Sequence, residues 1–192
     1  MYEDLKEYAK VNKVPIILDD SLEVILNIIK ENNIKTILEL GTAIAYSAIR
    51  MAELGVFITT LERNPLMYNE AIKNIHKYNL ENQIEAIFMD ALEYTPTKSY
   101  DLIFIDAAKA QNIKFIDRFS PYLNKGGLII VDNINFHGVD VSDPSISKNL
   151  RSMVNKINLF KDWIKENKDF ETYFLDTGDG LSISKKLWFY MK

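Results

Sequence analysis

Five carboxylate side chains follow five apolar segments that have the composition of buried strands. Glu39, Glu62, Asp90, Asp106 and Asp132 each stand in or just after the C-terminal end of such a segment. Because parallel strands present their carboxyl ends along one edge of a sheet, we expect these side chains to share the edge where open α/β sheets bind ligands. A strand that ends in a polar residue at the surface explains any one of them. It explains all five less well.

The first of these segments leads into a turn that suits a small polar ligand. In Lys35–Ser47, a short and largely apolar stretch precedes Glu39, and a single glycine, Gly41, precedes small residues with a helical pattern. A strand, a tight turn and a helix N-terminus in this order leave backbone N–H groups and the positive end of the helix dipole facing outward. We therefore predict that this stretch holds part of a ligand.

The second segment ends in an acidic residue that is suitably placed to contact a ribose. Glu62 follows Gly41 by about twenty residues, the distance at which a carboxylate can accept hydrogen bonds from both ribose hydroxyls. The turn has one glycine where a pyrophosphate normally requires G-x-G-x-x-G. These features favour a cofactor that has a ribose but no pyrophosphate. S-adenosylmethionine fits that description, with Asp90 and Ala91 beside its adenine.

Three oxygen-bearing side chains at neighbouring strand ends could bind a cation. Asp106, Asp132 and Asn133 offer two carboxylates and an amide, which suit a hard octahedral ion such as Mg²⁺ that keeps several waters. Lys109 follows Asp106 closely in the sequence, and a lysine beside such a site could act as a base. Its spacing alone favours an ordinary surface lysine or a salt bridge to Asp106.

Alternating strand and helix patterns predict the elements that would position these residues. Strands are expected at 35–40, 56–61, 84–89, 101–105 and 128–131, and helices at 3–10, 19–32, 45–54, 64–79, 112–123 and 146–167. Asp19, Asp20 and Ser21 are candidate N-caps for the second helix, and Asn64-Pro65 is a cap with a first-turn proline. Asn124–Gly127 reads as a turn, 134–147 as a long loop, and 170–175 with 181–184 as a hairpin. This order predicts an α/β fold: a mostly parallel sheet with helices on both faces and an antiparallel edge.

Composition and length limit the kind of protein. With 192 residues the chain is expected to form a single domain, 1–192, in which residues 1–33 form an N-terminal helical cap segment. The absence of cysteine excludes disulfides and thiolate chemistry. We find no apolar run of membrane-spanning length and no signal peptide, so we expect a cytoplasmic protein. The net charge of −4 does not indicate a nucleic-acid binder, although a local basic face is possible.

Several motifs together resemble one enzyme family. LELGTAIAYSAIRMA, TLERNP, FIDAAKAQ, IIVDNINFHG and GDGLSISKK occur in the order found in the metal-dependent class I O-methyltransferases, which include catechol and caffeoyl-CoA O-methyltransferases. Within the family the chain looks most similar to the bacterial tRNA 5-hydroxyuridine methyltransferases, which form 5-methoxyuridine at the wobble position. Ala45 and Ala110 stand where the family often has glycine.

This resemblance implies a Rossmann-like methyltransferase fold with a seven-stranded sheet, and a set of site residues. S-adenosylmethionine would be bound by Ile17, Glu39, Gly41, Ser47, Glu62, Asp90, Ala91 and Asp106. Mg²⁺ would be held by Asp106, Asp132 and Asn133, and Lys109 with Asp106 would be catalytic. The family is usually dimeric, so a homodimer is expected.

Three functions remain open on the sequence. The first is a tRNA-modifying O-methyltransferase, with tRNA as the partner. The second is an O-methyltransferase for a small catechol-like molecule. The third is a protein that binds the cofactor without turnover, against which stands the presence of all three metal ligands together with Lys109.

Overall fold

A seven-stranded sheet forms the centre of the molecule. The structure, a computed structural model, describes residues 2–135 and 145–187. The strands are β1 Thr36–Leu40, β2 Phe57–Glu62, β3 Ile84–Phe88, β4 Tyr100–Ile105, β5 Leu123–Asp132, β6 Phe170–Leu175 and β7 Leu181–Lys186. The described helices are α1 Glu3–Asn12, α2 Asp19–Glu31, α3 Tyr46–Ala52, α4 Pro65–Lys77, α5 Asn112–Phe119 and α6 Lys148–Glu166, with short 3₁₀ helices at Lys109–Gln111 and Ser120–Tyr122.

The strand order places the ends of β1 and β4 side by side. The sheet runs β3-β2-β1-β4-β5-β7-β6. The first five strands are parallel, and β7 pairs antiparallel with both β5 and β6. The chain order reverses between β1 and β4, and in an open sheet the crevice at such a switch point is where ligands bind. The predicted α/β fold with a mostly parallel sheet and an antiparallel C-terminal hairpin is confirmed.

Both faces of the sheet are covered, because alternate residues of each central strand point to opposite sides. In β4, Leu102 and Phe104 pack into one hydrophobic core together with side chains of α1, α2, α3 and α4. Ile103 and Ile105 pack into a second core with α5 and α6. The central strands therefore read as continuous apolar runs, as expected for strands buried on two sides.

Of the two helix caps predicted from the sequence, one is present in the structure and the other is not. Asn64 caps α4 as predicted, accepting hydrogen bonds from the backbone N–H groups of Leu66 (2.9 Å) and Met67 (3.3 Å). The capping predicted for α2 is wrong: Leu18 holds the cap position and Asp19 lies inside the helix. The Asp19 carboxylate is bound instead by Lys6 (2.6 Å) and by the Tyr46 hydroxyl (2.7 Å).

The fifth strand begins earlier than the sequence indicates. Residues 124–127 were expected to form a turn before the strand, yet β5 runs from Leu123 to Asp132 through both glycines. Its pairing with β4 shifts register between Tyr100 and Leu102. Gly126 has φ 74°, so the glycines accommodate an irregular strand and do not end it. Among the described helices, none is long and apolar enough to cross a membrane.

Candidate active site

A cavity of about 530 Å³ opens at the carboxyl ends of β1, β2 and β4. Its size falls in the range of small-molecule sites. Six of the predicted site residues line it, together with the predicted base: Gly41, Glu62, Asp90, Ala91, Asp106, Asn133 and Lys109. The strand-end pattern therefore predicted residues that the fold does bring together.

At one end of the cavity, two carboxylates, an amide and a lysine form a connected group. The Asn133 amide nitrogen donates to Asp132 Oδ2 at 2.8 Å and to Asp106 Oδ1 at 3.3 Å. Lys109 Nζ donates to Asn133 Oδ1 at 2.9 Å. Asp106 N donates to Leu40 O at 2.9 Å, which fixes the end of β4 beside β1. The sequence placed these residues near one another, and the structure gives direct contacts.

The donor set of this group fits a hard divalent cation. Asp132 Oδ1 is buried and accepts no hydrogen bond from the described part of the chain, and a buried carboxylate oxygen without a donor calls for a cation or a water. Among the described residues, no three Asp, Glu, His or Cys side chains come together as a metal cluster. An amide oxygen is a further ligand type that Mg²⁺ accepts. In this structure the Asn133 amide nitrogen faces the two carboxylates and its oxygen accepts from Lys109, so the amide would have to turn over for its oxygen to join them.

Burial raises the pKa of both carboxyl groups, and at Asp132 the negative charge of Asp106 adds to the effect. Burial raises the pKa of Asp106 to about 6, against the opposing charge of Lys109. Burial and the negative charge of Asp106 raise the pKa of Asp132 to about 7. Bringing a positive charge between the two would favour their ionised forms. Strongly shifted acids in a cleft are typical of functional sites.

At the other end, two carboxylates are held in place by backbone N–H groups. Glu62 accepts from Ala43 N at 2.9 Å and from Asn64 N at 2.8 Å. Asp90 accepts from Leu92 N at 2.9 Å and from Arg63 at 3.1 Å. The Leu92 N–H, and after it Arg63, hold the pKa of Asp90 below its usual range although burial opposes them. Both carboxylates are therefore oriented and able to accept hydrogen bonds from a ligand.

Four of the predicted site residues do not line the cavity. Ile17 is buried in the core that contains α1 to α4. The Glu39 carboxylate is fully buried and bound by Ser47 and Thr60, so Glu39 and Ser47 lie beneath the turn that follows β1. Asp132 is reached from the cavity through its contact with Asn133.

The structure adds residues that the sequence did not single out. These cavity-lining residues are Asn12, Lys13, Val14, Pro15, Ile16, Ala43, Arg63, Asn64, Met67, Met89, Ala107, Ala108, Gln111 and Phe115. Residues 12–16 cross one side of the cavity from the end of α1. The residue pattern showed only an apolar, proline-containing link between two helices, which does not specify where the link lies, whereas the family resemblance placed the adjoining Ile17 at the cofactor. Arg63 directly follows Glu62, and its ion pair with Asp90 joins two predicted residues.

Comparison with known proteins assigns the family. A family model described as O-methyltransferase matches residues 3–187. A Staphylococcus aureus structure provisionally named a caffeoyl-CoA O-methyltransferase has a TM-score of 0.89 and 43% identity, covering 96% of this chain and 91% of that one. A Bacillus cereus O-methyltransferase in complex with SAH has a TM-score of 0.81 and 23% identity, covering 96% and 90%. The catechol O-methyltransferase of Mycobacterium tuberculosis is 31% identical over 107 residues, which span 52% of this chain and 48% of that protein.

The fold and the matched residues define the class of protein. The chain belongs to the O-methyltransferase family. The resemblance noted in the sequence is confirmed at this level.

Proposed function

We propose that the chain transfers a methyl group from S-adenosylmethionine to a hydroxyl oxygen with the help of a divalent cation, most simply Mg²⁺. The observation that carries this proposal is the group formed by Asp106, Asp132, Asn133 and Lys109 at one end of the cavity. The methyl donor would occupy the remainder, from the Gly41 turn to Glu62 and Asp90.

When bound, the methyl donor would supply a methyl group on a sulfonium, and the bonding pair would stay on sulfur when the methyl group leaves. The cation would supply a Lewis acid that lowers the pKa of the acceptor hydroxyl. The residues of the chain supply the rest. Glu62 would accept hydrogen bonds from the ribose, and Asp90 with Ala91 would border the adenine. Lys109 Nζ would take or steer the hydroxyl proton. Holding donor and acceptor in line at the sheet edge makes much of the catalysis a matter of positioning.

For the acceptor, we propose 5-hydroxyuridine at the wobble position of tRNA. The charge distribution of α6 supports this choice. The first part of α6, from Lys148 to Lys161, contains four basic residues and no acidic residue in a chain of net charge −4. The helix packs against the 3₁₀ turn Lys109–Gln111. Lys148 and Lys156 in this part of α6 are exposed, and as positive charges near the proposed acceptor end they would attract backbone phosphates. A homodimer stays an expectation.

The second candidate acceptor is a small catechol-like molecule. It is favoured by the similarity to the Mycobacterium tuberculosis protein, which is named for catechol. It is also favoured by the cavity size, which is ample for a small aromatic molecule beside the donor. Its second hydroxyl could serve as an additional oxygen ligand for the cation.

Methyl transfer from labelled S-adenosylmethionine to two acceptors tests the proposal. The acceptors are tRNA that carries 5-hydroxyuridine and a simple catechol, each assayed with Mg²⁺ and with a chelator. Cation-dependent labelling of the tRNA alone is the expected result. Labelling of the catechol alone would move the enzyme to the second candidate. Labelling that persists unchanged in chelator would contradict the role given to Asp106, Asp132 and Asn133.

A further inference from the structure

Beneath the proposed methyl-donor site lies a chain of four buried polar side chains. Glu39 Oε1 accepts from Ser47 Oγ at 2.6 Å, and Glu39 Oε2 accepts from Thr60 Oγ1 at 2.5 Å. The hydroxyls of Thr60 and Thr42 are 2.7 Å apart. Because Thr60 gives its one proton to Glu39, the proton between the two threonines comes from Thr42. All four residues are buried.

This network contacts the donor turn near both of its ends. Thr42 lies near the beginning of the turn formed by residues 41–45, and Ser47 lies just after it. Thr60 comes from the neighbouring strand β2 and, through Glu39, connects with Ser47. Thr60 itself is fully buried and does not line the cavity in the part of the chain that the structure describes. Its hydroxyl can therefore influence a ligand only indirectly, and the groups that it contacts lead to the turn.

The turn needs such support because its backbone is strained. Ala43 has φ 46° and Ala45 has φ 66°, a left-handed conformation that is unfavourable for a residue with a Cβ. Conformations of this kind persist where the surroundings over-determine them. Gly41 and Ala43 line the cavity. A small relaxation of the turn would therefore displace the surface on which the donor lies.

We propose that Thr60 is a positioning residue for the methyl donor, whose hydroxyl keeps the turn of residues 41–45 in its ligand-binding conformation through Thr42 and Glu39. The inference rests on the proposed function in one respect, that the donor binds at this turn. Without the hydroxyl, Glu39 loses one of its two side-chain donors and Thr42 loses its partner. A smaller fraction of the protein molecules then has the turn in its binding-competent conformation. The apparent affinity for the donor falls in proportion to that fraction.

The neighbouring residue on β2 supplies a matched control. Thr59 is also fully buried, and its hydroxyl also donates to a carboxylate, Glu85 Oε2, at 3.2 Å. Successive residues of a strand point to opposite faces, so Thr59 lies away from the turn. Thr60→Val and Thr59→Val thus remove the same kind of bond from the same strand. Thr60→Ser keeps the hydroxyl, and Thr42→Val removes the other half of the hydroxyl pair.

The measurements are the Kd of S-adenosylhomocysteine by calorimetry, the KM for S-adenosylmethionine, kcat, and urea unfolding of each variant. For Thr60→Val we expect Kd and KM to rise about tenfold, the size of one hydrogen bond to a buried carboxylate, and for Thr42→Val, which removes a bond between two hydroxyls, about fivefold, with kcat nearly unchanged in both. Thr60→Ser and Thr59→Val should bind like the unmodified protein.

Equal affinities of Thr60→Val and Thr59→Val would overturn the inference, as would a loss of affinity in Thr60→Ser as large as in Thr60→Val. If Thr60→Val does not fold, the comparison of Thr42→Val with Thr59→Val decides in the same way. Failure of the unmodified protein to bind S-adenosylhomocysteine at all would be a different result, since it would contradict the donor site itself.

Discussion

Gly41 lies so close to the end of β4 that a Cβ on it would stand 2.2 Å from the carbonyl oxygen of Asp106. Its φ of 100° is a second reason for glycine at this position. The family resemblance placed Gly41 among the residues that would bind the methyl donor. The structure shows that it also lets the ends of β1 and β4 approach each other, and this approach places the Asp106 carboxylate at the cavity.

We predict that Gly41→Ala abolishes methyl transfer by displacing Asp106. The added methyl group meets backbone atoms, which cannot rotate away as a flexible side chain could. Gly55→Ala is the control, because Gly55 has a similar positive φ of 77° but nothing within 4 Å of its Cβ position. Activity and cofactor affinity measured for both separate the clash from backbone strain. Similar activity in the two variants would show that backbone strain, and not the clash with Asp106, accounts for the effect of Gly41→Ala.

We predict that Lys109→Ala lowers kcat by about 10²- to 10⁴-fold, the usual contribution of a general base. The Kd of S-adenosylhomocysteine should stay nearly unchanged, because Lys109 donates to Asn133 at the proposed acceptor end of the cavity. Lys114→Ala, at an exposed position of α5, is the control. The check is a single-turnover assay with calorimetry. Full turnover by Lys109→Ala would show that Lys109 is not the general base.

The strand-end carboxylates were predictable because parallel strands end at one edge whatever their detailed packing. This rule placed Asp106, Glu62 and Asp90 at the cavity correctly. It could not tell which strand-end carboxylates face the cavity and which are turned beneath it. Glu39 is fully buried because Thr60 and Ser47, 21 and 8 residues away in the sequence, supply its hydrogen bonds.

Local signals failed where distant residues decide the structure. Asp19 was expected to cap α2, but Lys6 and Tyr46 bind its carboxylate. The pair Gly126-Gly127 reads as a turn, yet β5 continues through it. At Gly127 a Cβ would lie 2.9 Å from the carbonyl oxygen of Asp101 on β4. Glycine therefore serves close strand packing there, which a propensity for turns does not reveal.

If tRNA is the acceptor, the double variant Lys148→Gln/Lys156→Gln should bind tRNA more weakly and with a shallower dependence on salt. Each lost phosphate contact reduces the slope of log K against log[salt] by about 1. Lys165→Gln on the same helix is the control, because Asp162 and Glu166 neighbour it in the sequence. Binding is measured by fluorescence anisotropy at several salt concentrations. An unchanged slope in the double variant would argue against this face of α6.

We predict that Asp101→Ala destabilises the protein by about 1.5–3 kcal/mol, the range for hydrogen bonds to a charged group. Asp101 Oδ2 accepts from Lys35 N, Thr36 N and the Thr36 hydroxyl at 2.9–3.1 Å, so it fixes the start of β1 against β4. Burial alone would raise its pKa, but its hydrogen bonds from Asn124, Lys35 and Thr36 outweigh this and hold the pKa low. Urea unfolding measures the loss.

The exposed Asp117 of α5 gives the matching control substitution, and Asp117→Ala should change stability by less than about 0.5 kcal/mol.

Because the pKa of Asp101 is lowered in the folded protein, its contribution to stability is present above its unfolded pKa of 3.8 and disappears as pH falls through the folded value. The difference between the unmodified protein and Asp101→Ala should therefore shrink below pH 3.8. A constant difference down to the lowest pH would contradict this account.

Three buried carboxyl groups should make the cation-free protein lose stability as pH rises from about 4 to about 7. Burial raises the pKa of Glu39 to about 7, of Asp106 to about 6 and of Asp132 to about 7, from ordinary values of 4.5, 3.8 and 3.8. The unfolded chain therefore ionises at lower pH than the folded protein. The stabilising contribution is full below the unfolded values and is lost as pH rises through the folded ones.

Mg²⁺ should reverse this loss, because a cation binds the ionised forms of Asp106 and Asp132 and stabilises the state that holds it. We expect the rise in Tm on adding Mg²⁺ to be clearly larger at pH 8 than at pH 5. Asp132→Asn should remove most of that rise and reduce the pH dependence of the cation-free protein, whereas Asp117→Asn should do neither. Thermal unfolding with and without chelator at both pH values makes the comparison. An equal shift at pH 5 and pH 8 would mean that the cation binds elsewhere.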